Sequence, residues 1–284
     1  MATGYWEHVA MLGCIQAIVG LGFYVTFLCG QFSAAHATLL GVGAYVAGML
    51  SARAGVPFAA ALLLGACAAS AVAALLMLLL RRLSGMIFAI ATLAVAEIAI
   101  VVLKNSRPLG GALGLSGVPL QATLWQAAIV LILVIVGFTR FEESRLGLAF
   151  RAVRDDADAA AASGIQVMHM RVLAFALGGF LCGLGGGLQV HYLGVIEPDE
   201  LGFYMTVALL LYTVIGGRDH FSGTVLAAFV FTALPELLRV TSRGRIIVFS
   251  LILILIVLWR PGGLIARPVF WRSRAGAAKI LPEP

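Results

Sequence analysis

The chain has 284 residues, 62% of them hydrophobic and only 11% charged, with a formal net charge of +6. So few polar groups cannot cover a water-facing globule, which excludes a soluble enzyme or binding domain and leaves a polytopic membrane protein. The positive balance is scattered over separate loops with no soluble basic module, so it speaks to membrane orientation and implies no nucleic-acid partner.

A hydrocarbon core about 30 Å thick calls for about 20 apolar residues per helix. About nine runs approach that length, centred near Ile18, Gly43, Ala68, Val95, Ile132, Gly183, Leu210, Phe229 and Leu253. The weakest are the run near Gly43, interrupted by Gly, His and Ser, and the short run near Leu210. The runs are continuous rather than alternating, which favours helices over barrel strands as the way to satisfy the backbone in lipid. The predicted fold is an all-α transmembrane bundle of about nine helices, eight to ten at the limits, forming a single domain over 1–284. Tyr5, Trp6, Glu7 and His8 precede the first run in place of a basic leader, so that run reads as a transmembrane helix and not a signal peptide. Cys14, Cys29, Cys67 and Cys182 all lie inside apolar runs without metal-ligand spacing, and they read as packing residues.

Between the first two runs, Gly30, Gln31, Phe32, Ser33 and His36 place flexible and polar groups together. Such a break suits a cavity on a translocation pathway, and equally a tight turn with Ser33 as the N-cap of the second helix. In the fourth run Glu97 is the one acid in the middle of a long apolar stretch, five positions after Thr92. An ionisable group at that depth is costly and belongs in a bundle interior or a water-filled cavity. Gln31, Ser33, His36, Thr92 and Glu97 are therefore the candidate pathway residues; a hydrogen bond that fixes helix packing is the alternative for Glu97. Gly114, Leu115, Ser116 and Gly117 read as G-x-S-G, a pattern found in intramembrane serine proteases, with His191 or His220 as candidate base. The pattern lies in a Gly/Pro-rich loop rather than on packed helices, which argues against a working Ser and His pair.

Apolar character breaks for longest over residues 140–171, RFEESRLGLAFRAVRDDADAAAASGIQVMHMR. Asp155 or Asp156 suits an N-cap, Asp158 complements the first-turn dipole, Ala159 to Ala162 are strong helix formers, and Gly164 can stop the helix in the left-handed conformation. This predicts a helix of about two to three turns with exposed alanines, a small-residue surface on which another protein can pack. A helix lying on lipid is the alternative, and the weak apolar face counts against it. Farther on, Gly179, Gly183 and Gly187 recur every four residues, leaving one helix face nearly bare for close packing.

With nine alternating helices, 13 of the 19 basic residues fall on the side of the central segment (about 141–171) and 6 on the other. The positive-inside rule then puts that segment and the basic tail at about 260–284 in the cytoplasm and the N-terminus outside. The outer side receives the acidic loop Glu197, Pro198, Asp199, Glu200 and the glycine-rich loop 109–119. No G-x-x-x-x-G-K-[ST] phosphate loop occurs in the sequence, so an ATP-driven system would need its ATPase on a separate chain.

The string FRAVRDDADAAAASGI, an apolar helix after it and then HYLGVIEPDE resemble the LivM-like permease family of ABC importers for branched-chain and other hydrophobic amino acids. GQFSAAHATLLGVGAY at 30–45, FAIATLAVAEI at 88–98, GGALGLSGVP at 110–119, VIGG at 214–217, LPELLR at 234–239 and WRPGGL at 259–264 extend the likeness over about residues 15–265. The resemblance implies that Arg151, Ala152, Val153, Arg154, Asp155, Asp156, Asp158, Ala160, Ala161, Gly164 and Ile165 form a coupling segment that docks on an ATPase. It implies as partners a second, LivH-like permease chain, two cytoplasmic ATPases and an extracytoplasmic solute-binding protein, in the bacterial inner membrane. This subunit would be non-catalytic and carry no cofactor or metal, with ATP and Mg bound by the ATPases. Urea, short amides or aromatic acids are alternative cargoes, and an ion-coupled secondary transporter is the rival mechanism. Two departures from the family pattern stand out: Ala35 where glycine is usual, and Asp219 with His220 where a Gly-Ser pair is usual.

Overall fold

The computed structural model describes residues 2–217 and 220–237. They form α1 (Ala2–Leu28), α2 (His36–Ala54), α3 (Phe58–Leu79), α4 (Gly85–Asn105), α5 (Leu124–Glu143), α6 (Arg145–Asp155), α7 (Ala157–Ala162), α8 (Val167–Leu193), α9 (Phe203–Gly216) and α10 (Phe221–Leu237). Two two-residue strands, β1 (Leu115–Ser116) and β2 (Val195–Ile196), pair antiparallel between loops. Helix ends follow local chemistry: Gly55 at φ +62° closes α2, and Thr123 with Gln126 makes a capping box at the start of α5.

The helix α8 is the hub. Gly178 of α8 lies against the Gly22 backbone of α1, Gly183 against Gly43 of α2 and Gly65 of α3, and Gly187 against Leu62 of α3. Along α8 these contacts climb in register with α2 and against α1 and α3, so α2 runs parallel to α8 while α1 and α3 run antiparallel. Strict alternation follows. One end of the bundle gathers residues 106–123, 194–202 and the start of α1; the opposite end gathers the α1–α2 turn, Arg81, Arg82, α6, α7 and the α9–α10 turn.

Six helices are long and apolar enough to span a bilayer: α1 from Gly4, then α2, α3, α4, α5 and α8. The weak run near Gly43 is thus a full span. The runs near Leu210 and Phe229 form the shorter apolar helices α9, with 14 residues, and α10, described as far as Leu237, so among the described residues six of the nine expected spans reach full length. The cause for α9 lies in the segment before it. His191 bonds Ser51 near the end of α2, whereas Leu201 packs on Gly41, ten residues lower on the same helix. Residues 194–202 therefore descend about 15 Å into the bundle before α9 can begin. The ninth run near Leu253, Arg218, Asp219, the side chain of Glu236 and the basic tail at 260–284 lie outside the described residues.

Candidate functional site

The polar segment folds into two helices where the sequence predicts one. Ser144 caps α6 by accepting the Gly147 N–H at 3.2 Å, and Gly147, Phe150 and Val153 give α6 a buried stripe. Phe150 is fully buried, its ring 5.4 Å from that of Phe141 on α5. The α1–α2 turn closes over the end of α6: Gly30 has φ +75°, and a Cβ there would sit 2.9 Å from the Arg154 Cα, so only glycine fits.

The cap of α7 is Asp156, whose Oδ1 accepts the N–H groups of Asp158 at 3.0 Å and Ala159 at 2.9 Å. Gly164, at φ +86°, follows the helix as foreseen. At six residues α7 is shorter than the expected two to three turns, because Asp156 breaks away from α6 with extended backbone and restarts the chain. The expected row of exposed alanines is also corrected in one place. Ala160 is buried and anchors the helix, while Ala159, Ala161 and Ala162 are exposed beside Asp155, Asp156, Asp158 and Gly164. Arg151, Ala152, Arg154 and Ile165 are half-buried and Val153 is buried, so they seat the layer rather than present it.

Beneath this layer lies Glu142, which the sequence reading did not single out. Its Oε1 accepts the Tyr24 hydroxyl at 2.7 Å and the Phe221 N–H at 3.0 Å, and its Oε2 lies 3.7 Å from His220 Nε2. The Glu142 carbonyl accepts Arg151 Nη2. One residue thus joins α1, α5, α6 and the start of α10. It borders a cleft of about 700 Å³, also lined by Thr139, Glu143, Leu148, Asp155 and His220.

The five candidate pathway residues divide. Thr92 Oγ1 accepts the Ala34 N–H at 3.0 Å, His36 Nε2 is 3.1 Å from Thr26 Oγ1, and Gln31 Nε2 lies 3.1 Å from the Met77 sulfur, all buried. Thr206 on α9 donates to the Ala34 carbonyl at 3.1 Å. The α1–α2 turn is therefore pinned from α3, α4 and α9. Ser33 is buried and accepts the Ala35 N–H at 3.1 Å; the N-cap of α2 is Ala35, whose side chain caps nothing. Glu97 is elsewhere. It faces out of the bundle, exposed on α4.

Gly179 meets Ala69 and Ala73, Gly183 meets Ala66 and Ala69, and Gly187 meets Leu62, each closer than a Cβ would allow. His191 Nε2 is 2.8 Å from Ser51 Oγ, and Ser116 lies in β1 opposite Val195, so the G-x-S-G serine and that histidine are not partners. Among the described residues no group of His, Cys, Asp and Glu could hold a metal ion.

An alternating bundle of apolar helices, with one capped polar layer presented at an end, defines a multi-pass α-helical membrane protein. The chain matches the family described as the permease component of branched-chain amino acid transport systems over residues 5–258, and it belongs to that family. It is 26% identical to the high-affinity branched-chain amino acid transport system permease protein LivM of Escherichia coli (strain K12), covering 95% of this chain and 72% of that one. It is 23% identical to the LivH permease protein of Salmonella typhimurium and 26% to BraD of Pseudomonas aeruginosa, each over 90% of this chain and 93% of the relative. No solved structure matches the chain.

Proposed function

We propose that this permease subunit serves an ATP-driven importer of branched-chain or related hydrophobic amino acids in a bacterial inner membrane, and that it hydrolyses nothing itself. It works with a second permease, two cytoplasmic ATPases and an extracytoplasmic solute-binding protein. The observation that carries this reading is the exposed strip from Asp155 to Gly164, built on a layer that is itself locked into the bundle. A capped helix with small exposed side chains lets a partner approach closely, and the buried anchors Phe150, Val153 and Ala160 transmit its movement to α1 and α5. Arg81, Arg82, Arg140, Arg145, Arg151, Arg154 and Arg171 lie at this end and Arg53, Lys104 and Arg107 at the other, which supports a cytoplasmic α6–α7 layer and an outer N-terminus. The phosphate loop absent from the sequence is the ATPase's to supply.

In this reading the solute passes along the outward side of α4, with Glu97 as acceptor for its ammonium group. Gln31, Ser33, His36 and Thr92 shape the pathway indirectly, by holding the turn that supports α4 at Thr92.

The test is purification of the tagged chain in mild detergent, identification of its partners, and measurement of solute-stimulated ATP hydrolysis in liposomes. Recovery of a second permease and ATPases is expected. Ala161→Trp, at an exposed position, should keep the chain in the membrane while lowering stimulated hydrolysis roughly tenfold, the effect of losing about 1.4 kcal/mol of docking energy. Unchanged stimulation in that variant would remove the coupling role from α7. Glu97→Gln should impair uptake while hydrolysis remains inducible; normal uptake would take Glu97 off the pathway.

A further inference from the structure

Asp219 and His220 stand where a Gly-Ser pair is usual, and the fold brings the second of them to the buried acid Glu142. The two carboxyl oxygens of Glu142 are used differently. Oε1 accepts the Tyr24 hydroxyl at 2.7 Å and the Phe221 N–H at 3.0 Å, which fixes the group between α1, α5 and the start of α10. Oε2 is left facing His220 Nε2 at 3.7 Å, beyond hydrogen-bond length and within reach of an ion pair. The ring is held for that encounter from its other side: Nδ1 lies 3.1 Å from the Ser222 hydroxyl, and the ring centroid is 5.0 Å from that of Phe221. A hydroxyl donates to a neutral ring nitrogen and accepts from a protonated one, so Ser222 keeps the ring in place in either charge state. Protonation therefore changes the pull on Oε2 and leaves the rest of the arrangement standing.

The surroundings act in the same direction. Glu142, Glu143 and Asp155 border the cleft that His220 also lines, against the single guanidinium of Arg151, so a cationic ring is attracted there. Arg151 donates to the Glu142 carbonyl, and Asp155 pairs with Arg154 at 3.1 Å. The titratable group that α1 brings to the junction is Tyr24; Arg218 and Asp219, which precede His220 in the chain, lie outside the described residues. Imidazole is the side chain whose charge ordinarily changes between about pH 5 and 8.

Glu142 closes α5 and, through its carbonyl and Arg151, steadies α6, whereas His220 leads directly into α10. A tie between them joins α10 to the layer that carries the α7 strip. We propose that Glu142 and His220 are positioning residues for coupling, a clasp that tightens when His220 is protonated and makes α10 follow the α6–α7 layer. Acidification on the side of that layer, cytoplasmic in the importer reading on which this rests, raises the amount of solute carried per ATP hydrolysed. A half-exposed ion pair has modest strength, so the clasp grades coupling by about threefold and does not switch it off.

Two readouts on the full complex test this. Amide exchange at the start of α10, corrected for the intrinsic effect of pH, should be about threefold more protected at about pH 6 than at about pH 8. In His220→Ser, a change at a half-exposed position to the residue usual in the family, protection should be the same at both. Solute taken up per ATP hydrolysed is then measured in liposomes holding ATP, with the lumen buffered at either pH and the outer pH fixed. It should fall about threefold from the lower pH to the higher, and hardly at all in His220→Ser or in Glu142→Gln, which keeps the Oε1 acceptor and removes the charge. Exchange that responds to pH in His220→Ser as in the unaltered chain would overturn the clasp, and a response that survives Glu142→Gln would overturn the pairing. If exchange responds as expected while solute per ATP is independent of lumen pH, the role in coupling is overturned. Absence of ATP-driven uptake at either pH would remove the importer reading and the coupling role with it, and exchange would still decide the clasp.

Discussion

Glu142 shows how much can rest on one side chain. Its carboxyl group takes the Tyr24 hydroxyl and the Phe221 N–H in a buried site, so removing it strands two polar groups at once. Each stranded group costs about 1–3 kcal/mol, so Glu142→Ala should lower thermal stability in detergent sharply. Glu142→Gln keeps an oxygen acceptor and should recover most of that loss. An unaltered melting temperature for the alanine variant would mean that the junction does not tie α1, α5 and α10 together. Its role was not legible in the sequence for a simple reason. In the string FEES a glutamate followed by another looks like the start of a solvated segment, and only the fold brings Tyr24, more than a hundred positions earlier, to its side. Glu97 is the converse case: its depth was legible and its direction was not, because a single chain's periodicity does not say which helix face finds neighbours.

At the scale of the elements, α8 depends on missing side chains. A Cβ on Gly183 would lie 2.7 Å from the Ala69 Cβ and 2.8 Å from the Ala66 Cα, and main chain cannot step aside as a flexible side chain can. Gly183→Val should therefore cost about 3 kcal/mol or more and reduce the yield of assembled complex, since overpacking against backbone moves a whole helix. Gly137, on the open side of α5, meets nothing within 4 Å, and Gly137→Ala should be tolerated within about 1 kcal/mol. Equal loss of folded protein for both would mean that glycine matters there for reasons other than space. The recurrence at 179, 183 and 187 was readable directly, because small residues four apart lie on one helical face. The polar layer was readable in part. The Asp156 cap, the Ser144 cap of α6 and the Gly164 stop follow from local chemistry, whereas the angle at which α6 leaves α5 depends on the packing of Gly147 against Glu142 and the burial of Phe150 on Phe141.

Over the whole molecule the two ends are built differently, and this governs what the sequence could reveal. Long apolar runs carry their own signal, so eight of them appear as helices in the expected places. The end opposite α6 and α7 is instead held by short, distant ties: the β1–β2 pair, the Lys104–Asp199 ion pair and the Val118 N–H donated to the Gly194 carbonyl. Two-residue strands have no periodicity to read, and the descent of 194–202 that shortens α9 has no signature in composition. That descending loop carries its own pH dependence. Burial, and next the neighbouring Glu197, raise the Glu200 carboxyl above its ordinary value. The folded loop therefore holds this proton more tightly than the unfolded chain does, so its stabilising effect is full below the ordinary carboxylate pKa and is lost as pH rises through the raised one. Amide exchange in residues 194–202 should thus be more protected in Glu200→Gln than in the unaltered protein at neutral pH, with the difference shrinking on acidification. A difference that is independent of pH would assign the effect to packing rather than to ionisation. Because Asp199 in the same loop steadies α4 through Lys104, loosening at high pH should spread to that end of α4.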